Sequence, residues 1–512
     1  MKMTDNSSKQ PSPEDLQRDI QAFLKDKYGP DAVHAEVDTL GSKEMDSSLK
    51  DEEEADLKFD MTPRELEEYL QEYVVEQDEA IEVLATKVAT HFNRMRWEAE
   101  DGKNWKRIPG QIKPNILMIG PTGVGKTYII KLIADHLGVP FVKGDATKFS
   151  ETGYVGGDVE DLVRDLVRAT GGNIKQAEYG IVYIDEIDKI ASSRGTNGPD
   201  VSRTGVQRNL LKLMEETEVD LRVPHDLASQ MEAVIETQRT GKAPQKKVNT
   251  RNILFIVSGA FNGLEDIVRK RMNRQPIGFG GDIETKVADR NKLFADISTK
   301  DLIDYGFESE FIGRLPVLAR LNDLDVDGLF EILTNEYNAV IQGKIRDFAA
   351  YGIDLKFEKD ALRMLAAQAF EEKTGARGLT RAAERALITF EKHFPSTSIR
   401  EFTLTKEAIE NPRAVCEELV YNATVRDAVL EFKEQTGIIL SLNASGKKWL
   451  IAESKRLNKM PGELLLSTFK PLHYAFGLLN VEQVRVGQKL LADPKKTIEA
   501  MIKKSYRPED EL

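Results

Sequence analysis

The chain has 512 residues, 40% of them hydrophobic and 31% charged, enough apolar content for a full core and enough length for two to four domains. Its net charge of −13 is uneven: residues 1–60 hold 16 Asp and Glu against 8 Lys and Arg, which leaves −5 on the remaining 452 and none of the basic field that non-specific nucleic-acid binding needs. No run approaches the roughly 18 apolar residues of a membrane span, the start MKMTDNSSKQ carries no export signal, and the single Cys416 forbids an internal disulfide, so a soluble, cytoplasmic protein that binds neither membrane nor nucleic acid is expected.

Residues 1–60 end in the acidic run Asp51, Glu52, Glu53, Glu54 and Asp56 and are poor in apolar side chains. This composition predicts a largely disordered leader, with a helix-start signal at Ser12-Pro13-Glu14-Asp15. From Thr62-Pro63-Arg64-Glu65 onward, helix-start chemistry precedes a periodic segment through Ile81, Val83, Leu84, Val88 and Phe92, so order is expected from near Met61. Three short apolar runs then alternate with helical stretches: Asn115-Ile116-Leu117-Met118-Ile119, Ile181-Val182-Tyr183-Ile184 and Ile253-Leu254-Phe255-Ile256-Val257. The alternation predicts an α/β large domain over 61–322, a parallel sheet flanked by helices. Residues 323–420 read as a smaller, mainly helical domain with one extended piece at 353–357, and residues 421–512 as a helical extension. Sliding the sequence by 85 residues pairs Gly352, Ile353, Leu355, Leu365, Ala367 and Leu379 with Gly437, Ile438, Leu440, Leu450, Ala452 and Leu464. Either the extension is a decayed copy of 323–420, or the echo is spacing that unrelated helices share.

The first apolar run leads into Gly120-Pro121-Thr122-Gly123-Val124-Gly125-Lys126-Thr127, which fits G-x-x-x-x-G-K-[ST] and opens a helical stretch over 128–137. Glycines let a backbone wrap closely enough for its N–H groups to face phosphate oxygens, and the helix N-terminus adds favourable potential. Lys126 is then expected to neutralise the terminal phosphates of ATP, and Thr127 to hold Mg²⁺. The second run ends in Asp185-Glu186, which delivers two acids to the sheet edge where ligands bind. Asp185 is the second Mg²⁺ residue and Glu186 the general base for water, so ATP hydrolysis rather than mere binding is expected.

Further motifs narrow the choice. Met61-Thr62-Pro63-Arg64-Glu65, Ala146-Thr147-Lys148-Phe149 with Gly153-Tyr154-Val155-Gly156, and Gly198-Pro199-Asp200-Val201-Ser202-Arg203 resemble HslU. Glu310-Phe311-Ile312-Gly313-Arg314-Leu315-Pro316-Val317 and Gly375-Ala376-Arg377-Gly378-Leu379 resemble the shared core of the AAA+ ring unfoldases, ClpX above all. The resemblance spans about residues 61–410 and implies a homo-hexamer that threads protein substrates through its pore. It implies a pore loop at Gly153, Tyr154, Val155 and Gly156, an arginine reaching into a neighbour's site at Arg314, a sensor arginine at Arg377, a first sensor near Ser258, and adenine contacts from Tyr73-Val74-Val75-Glu76-Gln77. An aromatic beside an aliphatic side chain grips any polypeptide without asking for a sequence.

Gln275-Pro276-Ile277-Gly278-Phe279-Gly280 resembles the loop by which ClpX docks on a ClpP-type peptidase, with Ile277, Gly278 and Phe279 as the contact. The departures are as specific. Glu76 stands where the family has glycine, only residues 157–180 occupy the place of the long HslU insertion, and one cysteine cannot form the zinc domain that opens ClpX. Residues 221–250, with Arg222, His225, Arg239, Lys242, Lys246 and Lys247, read as an enlarged pore entrance or a solvated loop. Two alternatives stand beside the unfoldase: a remodelling chaperone without a protease, and a nucleic-acid ring motor, which the charge balance disfavours.

Overall fold

The computed structural model describes residues 60–101, 112–150, 157–192, 201–221, 247–272, 291–479 and 481–505. The leader's helix signal at Ser12, the expected pore loop at Gly153 to Gly156 and the expected docking loop at Ile277 to Phe279 lie outside these residues, as do Arg222, His225, Arg239, Lys242 and Lys246.

Thr62 begins the ordered helices as a capping box. Its hydroxyl accepts from the Glu65 amide, and the Glu65 carboxylate takes the Thr62 amide at 2.7 Å. Helix Pro63–Tyr73 follows, then the long helix Asp78–Asp101. Five parallel strands form one sheet: β1 (Ile116–Ile119), β2 (Phe141–Asp145), β3 (Ile181–Asp185), β6 (Leu254–Gly259) and β7 (Val317–Arg320), in the order β2-β3-β6-β1-β7. Between β3 and β6, the short strands β4 (Glu218–Asp220) and β5 (Lys247–Asn249) pair antiparallel. The central strands are unbroken apolar runs because helices cover both faces. Alternate residues divide accordingly: Ile116, Met118, Tyr183 and Ile256 face the core shared with helices Asp78–Asp101 and Lys126–Leu137. Leu117, Ile119, Val182, Ile184 and Val257 face the core built on Asp161–Ala169, Val201–Met214 and Leu264–Arg271.

The chain then becomes mainly helical. Helices Val326–Thr334, Ala339–Ala349, Lys359–Glu371 and Arg377–His393 surround a two-stranded parallel pair, β8 (Asp354–Phe357) with β9 (Glu401–Leu404). One extended piece was expected here and two are present; β9 is a four-residue strand whose alternation, Phe402 and Leu404 inward, is too short to register by period. The 25-residue helix Pro412–Thr436 leads on to β10 (Ile439–Leu442), helices Ala444–Leu457 and Pro461–Phe469, and β11 (Gln483–Val486), which pairs parallel with β10. This stretch therefore also holds strands, around a separate core that includes Phe432, Leu440, Leu450, Phe469 and Val486.

The second assembly repeats the first in order. Gly352 and Gly437 both turn with positive φ, 71° and 75°, ahead of β8 and β10. Lys373 and Asn458 do the same, at 53° and 52°, just beyond the helices that follow those strands. Asn411-Pro412 and Asp493-Pro494 open the last helix of each. No helix among the described residues is long and apolar enough to cross a membrane.

Candidate nucleotide site

The glycine-rich turn joins β1 to helix Lys126–Leu137 at the C-terminal edge of the sheet, where open parallel sheets bind ligands. Gly123 adopts φ 85°, and a β-carbon there would run into the carbonyl of Thr374 in the helical region. Gly375, at φ 60°, lies so close that its own β-carbon would sit 2.8 Å from the carbonyl oxygens of Thr122 and Gly123. The Ala376 amide donates to the Gly123 carbonyl at 2.9 Å. Two backbones thus meet with no side chain between them, and this contact sets Arg377, the first residue of its helix, at the turn.

The turn, the sheet edge and this corner enclose a cleft of about 430 Å³. Of the expected residues, Val74, Val75, Thr122, Gly123, Val124, Gly125, Lys126, Thr127, Asp185, Glu186 and Arg377 line it. Gly120 and Pro121 instead present their carbonyls to the Lys126 ammonium, at 2.6 and 2.7 Å. Tyr73, Val74, Leu324 and Ile332 give one end an apolar character suited to a flat base. Gln77, buried, holds that end in place by clasping the Asn322 backbone, donating to its carbonyl at 3.1 Å and accepting its amide at 2.8 Å.

At the other end, the Thr127 hydroxyl donates to Asp185 Oδ2 at 3.2 Å, and the buried Ser258 donates to Oδ1 at 2.8 Å. Because Ser258 spends its proton on Asp185, Tyr183 OH is the donor in the 2.6 Å contact between them. Burial pushes the Tyr183 phenol to about 12, with the Asp185 charge adding to the shift. Burial would also raise the Asp185 carboxyl, but hydrogen bonds from Lys143 and Ser258 outweigh it and hold Asp185 below its ordinary value. Glu186 follows in the left-handed region at φ 57° and is exposed to the cleft. One hydroxyl and one carboxylate, both hard oxygen donors beside a phosphate-binding turn, fit Mg²⁺.

A model of an AAA domain of the Cdc48 subfamily matches residues 111–318, and a model of the C-terminal D2-small domain of ClpB protein matches residues 324–389. The ATP-dependent Clp protease ATP-binding subunit ClpX of Treponema denticola is 39% identical over 359 residues, 68% of this chain and 81% of that protein. Its counterpart from Bacteroides thetaiotaomicron is 39% identical over 349 residues, 67% of this chain and 80% of its own. That of Borrelia duttonii is 38% identical over 356 residues, 68% and 79%. The chain belongs to the ClpX family of AAA+ proteins. It is an ATPase.

Within this ClpX-family chain, Arg314 lies away from the cleft, behind helix Ser309–Gly313, with its guanidinium 2.6 Å from Glu215 Oε1. Ser258 does not line the cleft; it acts through Asp185, while Gly259 at the end of β6 and Ala260 and Asn262 after it supply the wall. Lys143 on β2, absent from the sequence reading, reaches Asp185 Oδ2 at 3.0 Å and Thr127 Oγ1 at 3.4 Å. Only the strand register shows it, since Lys143 pairs with Tyr183 across 40 residues of chain. Lys247 is an ordinary strand-edge ion pair, 3.0 Å from Glu218.

Proposed function

We propose that this ATPase is a protein unfoldase working as a hexameric ring in the cytoplasm, which threads protein substrates through its pore and delivers them to a ClpP-type peptidase. The observation that carries the ring is the division of arginines: Arg377 lines the chain's own cleft and Arg314 does not. Arg314 would then complete the cleft of a neighbouring subunit, so a lone chain would bind ATP but turn it over poorly. The relatives' printed description, an ATP-binding subunit of a Clp protease, supports the peptidase, with Ile277, Gly278 and Phe279 as its dock and Gly153, Tyr154, Val155 and Gly156 as the substrate loop.

The turn amides and Lys126 would hold the phosphates, and Thr127 and Asp185 would hold the Mg²⁺ that offsets their charge. Glu186 would take the proton of the attacking water, and Arg377 would respond to the γ-phosphate from the helical side. Because the Gly123 and Gly375 backbones touch, a shift of the phosphate-binding turn would be passed to the helical region without a flexible intermediary. Tyr154→Ala is expected to keep basal ATPase while losing unfolding of a tagged folded substrate; unchanged unfolding would remove the threading role. Phe279→Ala should lose a co-purifying peptidase, and a wild-type chain that retains none would favour the chaperone alternative.

A further inference from the structure

Lys143 extends from β2, the edge strand of the sheet, toward the Thr127 hydroxyl and the Asp185 carboxylate. Its ammonium lies 3.0 Å from Asp185 Oδ2 and 3.4 Å from Thr127 Oγ1, and those two oxygens are 3.2 Å apart. It also stands 5.7 Å above the Tyr183 ring. These are the two oxygens that the chemistry of the site gives to a divalent cation, and the Lys143 ammonium already bridges them.

We propose that Lys143 is the resident cation of the nucleotide site: it lets ATP bind without a divalent metal, and it must leave the Thr127–Asp185 position before metal-supported hydrolysis. This rests on the reading of the cleft as the ATP site. Lys126 and Arg377 line the cleft, and Lys143 reaches its Thr127–Asp185 end from the sheet edge, within Coulombic range of a bound triphosphate. An ammonium supplies one unit of charge where Mg²⁺ supplies two, so it supports association without matching the metal's polarisation of the reacting phosphate. Lys143 is 43% exposed on an edge strand, so its side chain can swing into solvent without disturbing the core. The opposing reading is a half-exposed ion pair of little consequence.

The two readings separate on binding rather than turnover. A fluorescent ATP analogue is titrated into wild type, Lys143→Met and Lys143→Arg, each with Mg²⁺ and with EDTA. Wild type and Lys143→Arg are expected to bind in EDTA within about threefold of their affinity in Mg²⁺, whereas Lys143→Met weakens about tenfold or more in EDTA alone. Lys143→Met should also reach half-saturation at lower Mg²⁺, because nothing competes for the oxygens. Undiminished EDTA binding by Lys143→Met, or a wild type that needs metal to bind at all, overturns the proposal. Lys126→Ala serves as the control for the cleft and should lose binding in both buffers. Wild-type binding by that variant would dismiss the ATP site itself, and this proposal with it.

Discussion

Asp185 collects a hydroxyl from Thr127, a hydroxyl from Ser258 and an ammonium from Lys143, three groups from three different elements, while the next residue, Glu186, is left to the cleft. The left-handed backbone at Glu186 separates the roles of two adjacent acids, one tied into the protein and one free for chemistry. Glu186→Gln is therefore expected to retain ATP binding and lose at least about a hundredfold in turnover, measured by phosphate release against equilibrium binding. Turnover near wild type would strip Glu186 of the role of base. Arg314→Ala should abolish turnover in uniform rings, yet rings mixed from Arg314→Ala and Glu186→Gln subunits should recover part of it. Each type repairs the other's deficit only if Arg314 acts across the subunit boundary. At this scale the Lys126, Thr127, Asp185 and Glu186 set was legible in the sequence because each half of it is local. Lys143 was not, since its meaning depends on a strand register rather than on neighbours in the chain.

The segment Tyr73 to Gln77 shows how one residue can load an element. Glu76 takes a glycine-like φ of 61° and presses its carboxylate against Gly328 at the start of helix Val326–Thr334. Partial burial, then the charges of Asp325, Glu331 and Asp327, raise it from 4.5 to about 7. An acid with its folded pKa raised is favoured protonated in the fold, so its contribution to stability is full below the unfolded value and is lost as pH rises through 7. Glu76→Gln should therefore melt above wild type at pH 8, with the advantage shrinking toward pH 5; a difference independent of pH would contradict this placement. The contact of Gly375 on Gly123 belongs to the same scale. Gly375→Ala should weaken ATP affinity while leaving the fold intact, read by nucleotide titration beside circular dichroism, because the added β-carbon forces the helical corner off the turn. The sequence could name Arg377 from its motif, but not this backbone contact, because closeness of two main chains leaves no mark beyond a pair of glycines.

Over the whole molecule, the long-range plan was readable from alternation of apolar runs and helices; of the short paired strands in the helical parts, β8 was read as the extended piece at 353–357 and the others were not. β9 and β11 are four residues each, below the length at which a period can be told from chance. Positive-φ turns at Gly352 and Gly437, 85 residues apart, each precede a short strand, β8 and β10. Where the first assembly carries Gly375-Ala376-Arg377, the second has Met460-Pro461-Gly462, and Gly462 packs on the Thr424 carbonyl rather than on a phosphate-binding turn. Leu450→Ala should accordingly cost about 2–5 kcal/mol in the stability of that core without altering ATP affinity. Whether the protein is an ATP-driven ring that works on proteins is decided by ATPase activity measured across size-resolved fractions with and without an unfolded protein. Activity is expected in fractions of hexameric mass, stimulated by the unfolded protein and indifferent to DNA. Activity confined to single chains, or raised by DNA and not by protein, would contradict it.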